Sequence, residues 1–123
     1  MAYAEVRGYA YNKHGLVGTP ILRNGRLAPS VINKSGVVLT TEQTRRVIAA
    51  VTGRTSGIRE PEFCFQPHHA FVFYDAAQKP VAWIELSSVC HAAKAWPQPS
   101  GPPINVLALD ALVNELSLPP FPK

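Results

Sequence analysis

Residues 64–75 read CFQPHHAFVFYD, and a second cysteine–histidine pair, Cys90 and His91, follows further along the chain. Thiols and imidazoles are the side chains that form disulfides, hold soft metal ions and serve as nucleophile and base. Three chemistries are therefore open. A Cys64–Cys90 disulfide would close a loop of about 25 residues and contribute on the order of 3 kcal/mol. A zinc ion could take Cys64, His69 and Cys90 with a water, assisted by His68 or His91, because two thiolates and two imidazoles make a tetrahedral donor set. The spacing lacks both C-x2-C and H-x3–5-H, so it matches no familiar zinc motif. A nucleophilic cysteine with a histidine base would need an orienting acid, for which Glu85 and Asp75 are the nearby choices. No local protease or redox signature accompanies it. Against all three stands the ordinary fate of these residues: free cysteine is a common core residue, and a histidine at a strand start more often serves as a hydrogen-bonded structural group. His14, between Lys13 and Gly15, reads as a loop residue.

The elements that must position this cluster follow from the neighbouring pattern. HAFVFYDAAQKPVAWIEL holds two strand-forming runs around a polar turn at 76–79, which predicts a hairpin over about 69–75 and 80–87. Pairing Asp75 with Pro80 sets Phe73 against Ala82, Phe71 against Ile84 and His69 against Leu86, with Tyr74 against Val81 and Val72 against Trp83. Both faces of that hairpin are apolar, so it belongs in the middle of a sheet covered on both sides. Carried past His69, the same register brings Cys64 towards His91, although Pro67 interrupts the ladder. Cys64, His68, His69, Cys90 and His91 are thus expected at one end of one hairpin, and Asp75 in its turn.

Around the hairpin, the first third reads as short antiparallel strands. AEVRGYAY suits a strand, and ILRNGRLA carries Asn24-Gly25, the strongest two-residue hairpin signal. SVINKSGVVL predicts another hairpin with a longer turn at 33–36. Thr40 and Gln43 form a capping box ahead of a helix over about 41–52, whose buried face is Thr44, Val47, Ile48 and Val51 and whose end falls at Gly53. Four prolines in WPQPSGPP exclude a regular element there. A second helix over about 105–117 has Asn105 as its N-cap and Val106, Leu109, Leu112, Val113 and Leu116 as its buried stripe. Trp83 and Trp96 read as core or half-exposed packing. The expected architecture is one α+β domain spanning 1–123, with a mostly antiparallel sheet.

Composition limits the function classes. With 46% hydrophobic and 16% charged residues in 123, the chain has a globular balance and length enough for its own core. It holds no run of eighteen apolar residues, so no membrane span is expected. The first residues lack an apolar signal core, so the chain as given reads as cytoplasmic, whereas removal of an upstream signal would make it exported. The net charge of +4 is uneven: residues 1–60 carry nine Lys or Arg against three acids, and residues 61–123 three against five. The basic residues are scattered singly apart from Arg45–Arg46, and no aromatic–basic motif accompanies them, so the charge does not point to nucleic acid. TGRTSG lacks the lysine of a phosphate-binding loop, and no G-x-S-x-G elbow is present.

The block CFQPHHAFVFYDAAQKPVAWIEL resembles a group of small bacterial proteins of unknown function, whose pattern is roughly C-[FY]-x-P-[RH]-H-[AG]-x-x-F-Y-D, a turn, K-P-x-A and I-E-x-C-F-x-C. Weaker likeness extends to PILRNGRLAPSV, LTTEQTRRVIAAVTG and ALVNELSLP. Cys64, Pro67, His69, Tyr74, Asp75 and Cys90 match the pattern. The resemblance implies a three-cysteine-plus-histidine metal or redox site, but Ser87 stands where the group has the first cysteine of its C-x-x-C. It brings no activity with it. With no complete catalytic set and a tight hairpin with proline-rich flanks, the expectation is a small non-enzymatic protein that recognises another protein, in the manner of an immunity protein or inhibitor. The alternative is a metal- or thiol-site protein using Cys64, His69 and Cys90.

Overall fold

The computed structural model describes residues 3–12, 20–52, 67–87, 92–97 and 104–118. In chain order the elements are β1 (Glu5–Ala10), β2 (Leu22–Arg23), β3 (Arg26–Leu27), β4 (Val37–Val38), α1 (Thr41–Thr52), β5 (His69–Tyr74), β6 (Pro80–Ser87), β7 (Ala92–Trp96) and α2 (Val106–Glu115). Five strands form one antiparallel sheet in the order β4-β1-β5-β6-β7, and β2 pairs with β3 in a separate small ribbon. This is the expected α+β class. No helix among the described residues is long and apolar enough to cross a membrane.

β5 lies at the centre, and every one of its six residues is buried. A strand with no polar face needs a cover on both sides. On one side Val6, Phe71, Phe73, Ala82, Ile84 and Leu86 pack against Val47 and Ala50 of α1 and Leu109, Leu112 and Val113 of α2. On the other side Tyr9, Tyr11, Ala70, Val72 and Tyr74 pack under Ile21, Leu22, Ala28 and Val31, the segment that carries the β2–β3 ribbon. The molecule is therefore three layers deep through β5.

Local chemistry fixes the ends of the elements. The Gln43 N–H donates to Thr40 Oγ1 at 3.1 Å, and the Gln43 side chain accepts from the Thr40 N–H at 2.9 Å, which completes the capping box. Asn105 Oδ1 accepts from the Ala108 N–H at 3.2 Å and starts α2. That helix ends in a Schellman turn: Ser117 takes φ +57°, its N–H donates to the Asn114 carbonyl, and the Leu118 N–H reaches back to Val113. Asn24 and Gly25 have φ of +53° and +75°, as a two-residue primed turn requires. Gly53 lies outside the described residues.

The hairpin register holds from His69↔Leu86 to Phe73↔Ala82 and then shifts. Tyr74 pairs with Pro80 rather than Val81, across a bulge at Phe73 and Tyr74. The turn is responsible. Asp75 Oδ1 accepts from the Ala77 and Lys79 N–H groups, both at 2.9 Å, and Gln78 takes φ +64°. This tightens the loop by one position, and Pro80 has no N–H to lose from the ladder.

Residues 30–39 depart from the expected second hairpin. The turn exists, with the Gly36 N–H donating to Asn33 O at 2.8 Å, but both arms bond to β1 instead of to each other. The Ile32 N–H donates to Ala10 O, β4 pairs with Arg7 and Gly8, and between them the Asn33 side chain takes the place of backbone. Its Oδ1 accepts from the Ala10 N–H at 2.8 Å and its Nδ2 donates to Gly8 O at 3.2 Å. β7 was not expected either: AAKAW has little strand propensity, and only its pairing to β6 makes it a strand.

The two turn glycines separate backbone strain from steric clash. A Cβ at Gly25 would meet nothing within 4 Å, whereas one at Gly36 (φ +71°) would stand 2.9 Å from Tyr9 Cε1 and 3.0 Å from Arg7 Cβ. Gly25→Ala is expected to lower stability by about 1 kcal/mol and Gly36→Ala by about 2–3 kcal/mol. Urea unfolding followed by tryptophan fluorescence measures both, and equal losses would refute the packing of the 33–36 turn on β1.

Candidate functional site

Of the residues singled out above, Cys64, Cys90 and His91 lie outside the described residues, as does His14. The others occupy the two ends of β5. Pro67, His68 and His69 stand at its start, while Tyr74 and Asp75 stand at its finish, about 20 Å away for a strand of this length. The described part of the motif is thus one strand with its two attachments. His68 and His69 are both buried, at 5% and 2% exposure. Neighbours along an extended chain project to opposite faces. His69, opposite Leu86, lies on the helix side, and His68 on the ribbon side. His68 continues the ladder beyond β5, with its carbonyl accepting from the Tyr11 N–H at 2.9 Å and its N–H donating to Leu86 O at 3.1 Å.

The acids proposed as orienters are committed elsewhere. Asp75 holds its own turn. Glu85 pairs with Ala70, on the ribbon face and away from His69. Its Oε2 accepts from the Tyr11 hydroxyl at 2.5 Å and from the Ile21 N–H at 3.0 Å. One carboxylate oxygen therefore ties β1, β6 and the start of the covering segment together. The small side chain of Ala70, between Tyr9 and Glu85 in the cross-strand row, leaves space for that meeting. Beside it Asn12, fully buried with φ +59°, donates to Pro67 O at 3.0 Å and accepts from the Ser30 hydroxyl at 2.8 Å. Ser87, also fully buried, closes this end of β6 opposite Ala92. Among the described residues no three His, Cys, Asp or Glu side chains are grouped to hold a metal.

Burial shapes the titration of this face. The Tyr11 phenol is pushed far above its usual value, first by loss of water and then by the Glu85 charge beside it. The Tyr9 phenol is raised by burial and by its 2.5 Å hydrogen bond with Tyr74. His68 is held below the ordinary histidine value, chiefly by burial.

At the far edge of the same face the surface changes character. Trp83 on β6 and Trp96 on β7 are paired in register, and their rings stack 4.9 Å apart at 15°. Trp83 is half-buried beside Val72, but Trp96 is 54% exposed. Among the described strands β7 is the last of the sheet, so Trp96 stands at the edge of the described sheet. Sequence reasoning grouped the two tryptophans as packing. The signal that could have separated them was the register of β7, which no turn residue announces. Comparison of the chain with models of protein families, with curated proteins and with solved structures found no match.

Removing the Glu85 carboxylate would leave a buried phenol and a backbone N–H without an acceptor. Glu85→Ala is expected to destabilise the fold by roughly 2–4 kcal/mol and to speed exchange of the Ile21 amide, while Tyr11→Phe should lower stability by about 1 kcal/mol. An unaffected Ile21 amide would refute the tether. The pH dependence has a definite sign. Tyr9 and Tyr11 keep their protons in the folded chain where an unfolded tyrosine, at 10.0, begins to lose its own, so stability falls as pH rises above 10. His68 resists the proton that the unfolded chain accepts below 6.5, so its contribution is present above that value and is lost as pH falls through it. Melting curves across pH check both limbs, and the alkaline limb should be shallower in Tyr11→Phe.

Proposed function

We propose that this chain is a small non-enzymatic binding protein that recognises another protein, of an immunity or inhibitor type, through the β7 edge of its sheet. The observation that carries this reading is Trp96, half-exposed on an edge strand and backed by the stacked ring of Trp83. Tryptophan presents a large apolar area with few rotamers to lose, and it is enriched where partners bind most tightly. Stacking on Trp83 restricts the ring further, so less entropy is lost when it is covered. An edge strand also offers unpaired backbone groups that an extended partner segment can use. The non-enzymatic part of the reading is supported by the polar groups of the ribbon face and of the β5–β6 turn. Glu85, Asp75, Tyr11 and Asn12 are each spent on holding elements in place.

The test compares wild type, Trp96→Ala and Leu107→Ser, with capture from the native host and affinity measured on the partner recovered. Leu107, 74% exposed on α2, controls for exposed apolar surface in general. A stoichiometric partner is expected with wild type and Leu107→Ser, and a loss of at least about 2 kcal/mol, roughly thirtyfold in affinity, with Trp96→Ala. Recovery of no specific protein, or equal capture by Trp96→Ala, would overturn the reading.

A further inference from the structure

The outer side of the β2–β3 ribbon carries a charge arrangement that the fold itself does not use. Leu22 pairs with Leu27 and turns inward, buried and half-buried, onto the sheet. The next pair is Arg23↔Arg26, which by alternation turns outward, and both residues are exposed. Directly opposed residues of an antiparallel pair hold their Cβ atoms about 5 Å apart, and like charges there repel. The Asn24-Gly25 turn, with its two positive φ values, sets that register, so the two side chains leave the ribbon side by side. The other described arginines are matched: Arg7 pairs with Glu5, Arg45 with Glu42 and Arg46 with Glu115. Among the described residues neither Arg23 nor Arg26 enters an ion pair.

We propose that Arg23 and Arg26 form a two-pronged receptor for a carboxylate on an acidic partner protein. Two guanidiniums side by side offer parallel N–H donors, and a carboxylate accepts such donors in pairs. An anion between them also removes the repulsion that the empty pair carries. Two arginines on a two-residue turn suit one or two carboxylates. A nucleic-acid strand would need a longer basic track with stacking side chains along it. The inference rests on the reading of the chain as a binding protein, but it does not depend on Trp96.

The experiment titrates the isotope-labelled full chain with oligoglutamate, length-matched oligoglutamine and oligothymidylate, following backbone amides and arginine side-chain resonances by NMR. Saturable shifts confined to residues 22–27 are expected with oligoglutamate only, weakening as salt is raised. The double variant Arg23→Gln/Arg26→Gln should bind oligoglutamate at least about tenfold more weakly. Without ligand it should melt no lower than wild type. Absence of shifts at the ribbon, equal binding by the double variant, tighter binding of oligothymidylate to the same resonances, or a lower melting temperature of the free variant would each overturn the receptor. Failure of oligoglutamate to bind while wild type still captures a host protein would remove the receptor and leave the protein-binding reading standing. If no host protein is captured, the titration still decides the receptor by itself.

Discussion

β5 has no side that can face water. From Pro67 to Tyr74 every residue is buried, and the rest of the fold follows from covering that strand twice. The helices meet the first demand in the usual way, by laying apolar stripes across one face of a sheet. The second cover is a thin one. Among the described residues it is a short ribbon and its flanks, which bury Ile21, Leu22, Ala28 and Val31 against the sheet. Glu85 adds a polar tie to that packing. Its carboxylate takes the phenol of Tyr11, just past β1, and a backbone N–H from the covering segment, and hydrogen bonds to a charged acceptor are stronger than neutral ones. Asn33 and Asn12 act in the same way further along, each replacing a missing strand with a side-chain amide.

This division explains what could be read from the sequence. Elements whose signal is local were legible: the capping box of Thr40 and Gln43, the N-cap Asn105, the Asn24-Gly25 turn and the pairing of β5 with β6 as far as Phe73. Two-sided burial was legible as well, because Phe71, Phe73, Ala70 and Val72 leave no polar face. Elements fixed by distant partners were not legible. β4 and the segment before it look like two arms of a hairpin, yet β1 attracts both, and Asn33 is a turn residue by type while acting as a ladder residue. β7 has no propensity of its own. The bulge at Tyr74 depends on how Asp75 divides one oxygen between two amides, which composition does not show.

The candidate site divides along the same line. Its residue types were visible, and so was the separation of His68 and His69 at one end of the hairpin from Asp75 in the turn at the other; Cys64, Cys90 and His91 lie outside the described residues. An extended strand separates neighbours to opposite faces and its ends by its whole length. His68 and His69 are divided by the sheet, and Tyr74 and Asp75 by the length of β5. The polar groups that do converge, Tyr11, Glu85 and the Ile21 amide, come from three separate places in the chain.

What remains for recognition is what the fold leaves unspent. The described glutamates and Asp75 accept hydrogen bonds within the structure. Two features stand apart from this economy, the exposed ring of Trp96 and the opposed arginines of the ribbon. Each costs some stability, one through apolar surface left in water and the other through like charges held close. Local choices that oppose the fold without compensation within it are where function is to be sought. The arginines lie on the segment that Glu85 ties to the sheet through the Ile21 N–H, whereas Trp96 lies on β7 of the sheet itself. A change at Glu85 would therefore reach the ribbon arginines through the Ile21 tether before it reached the helical side of the core.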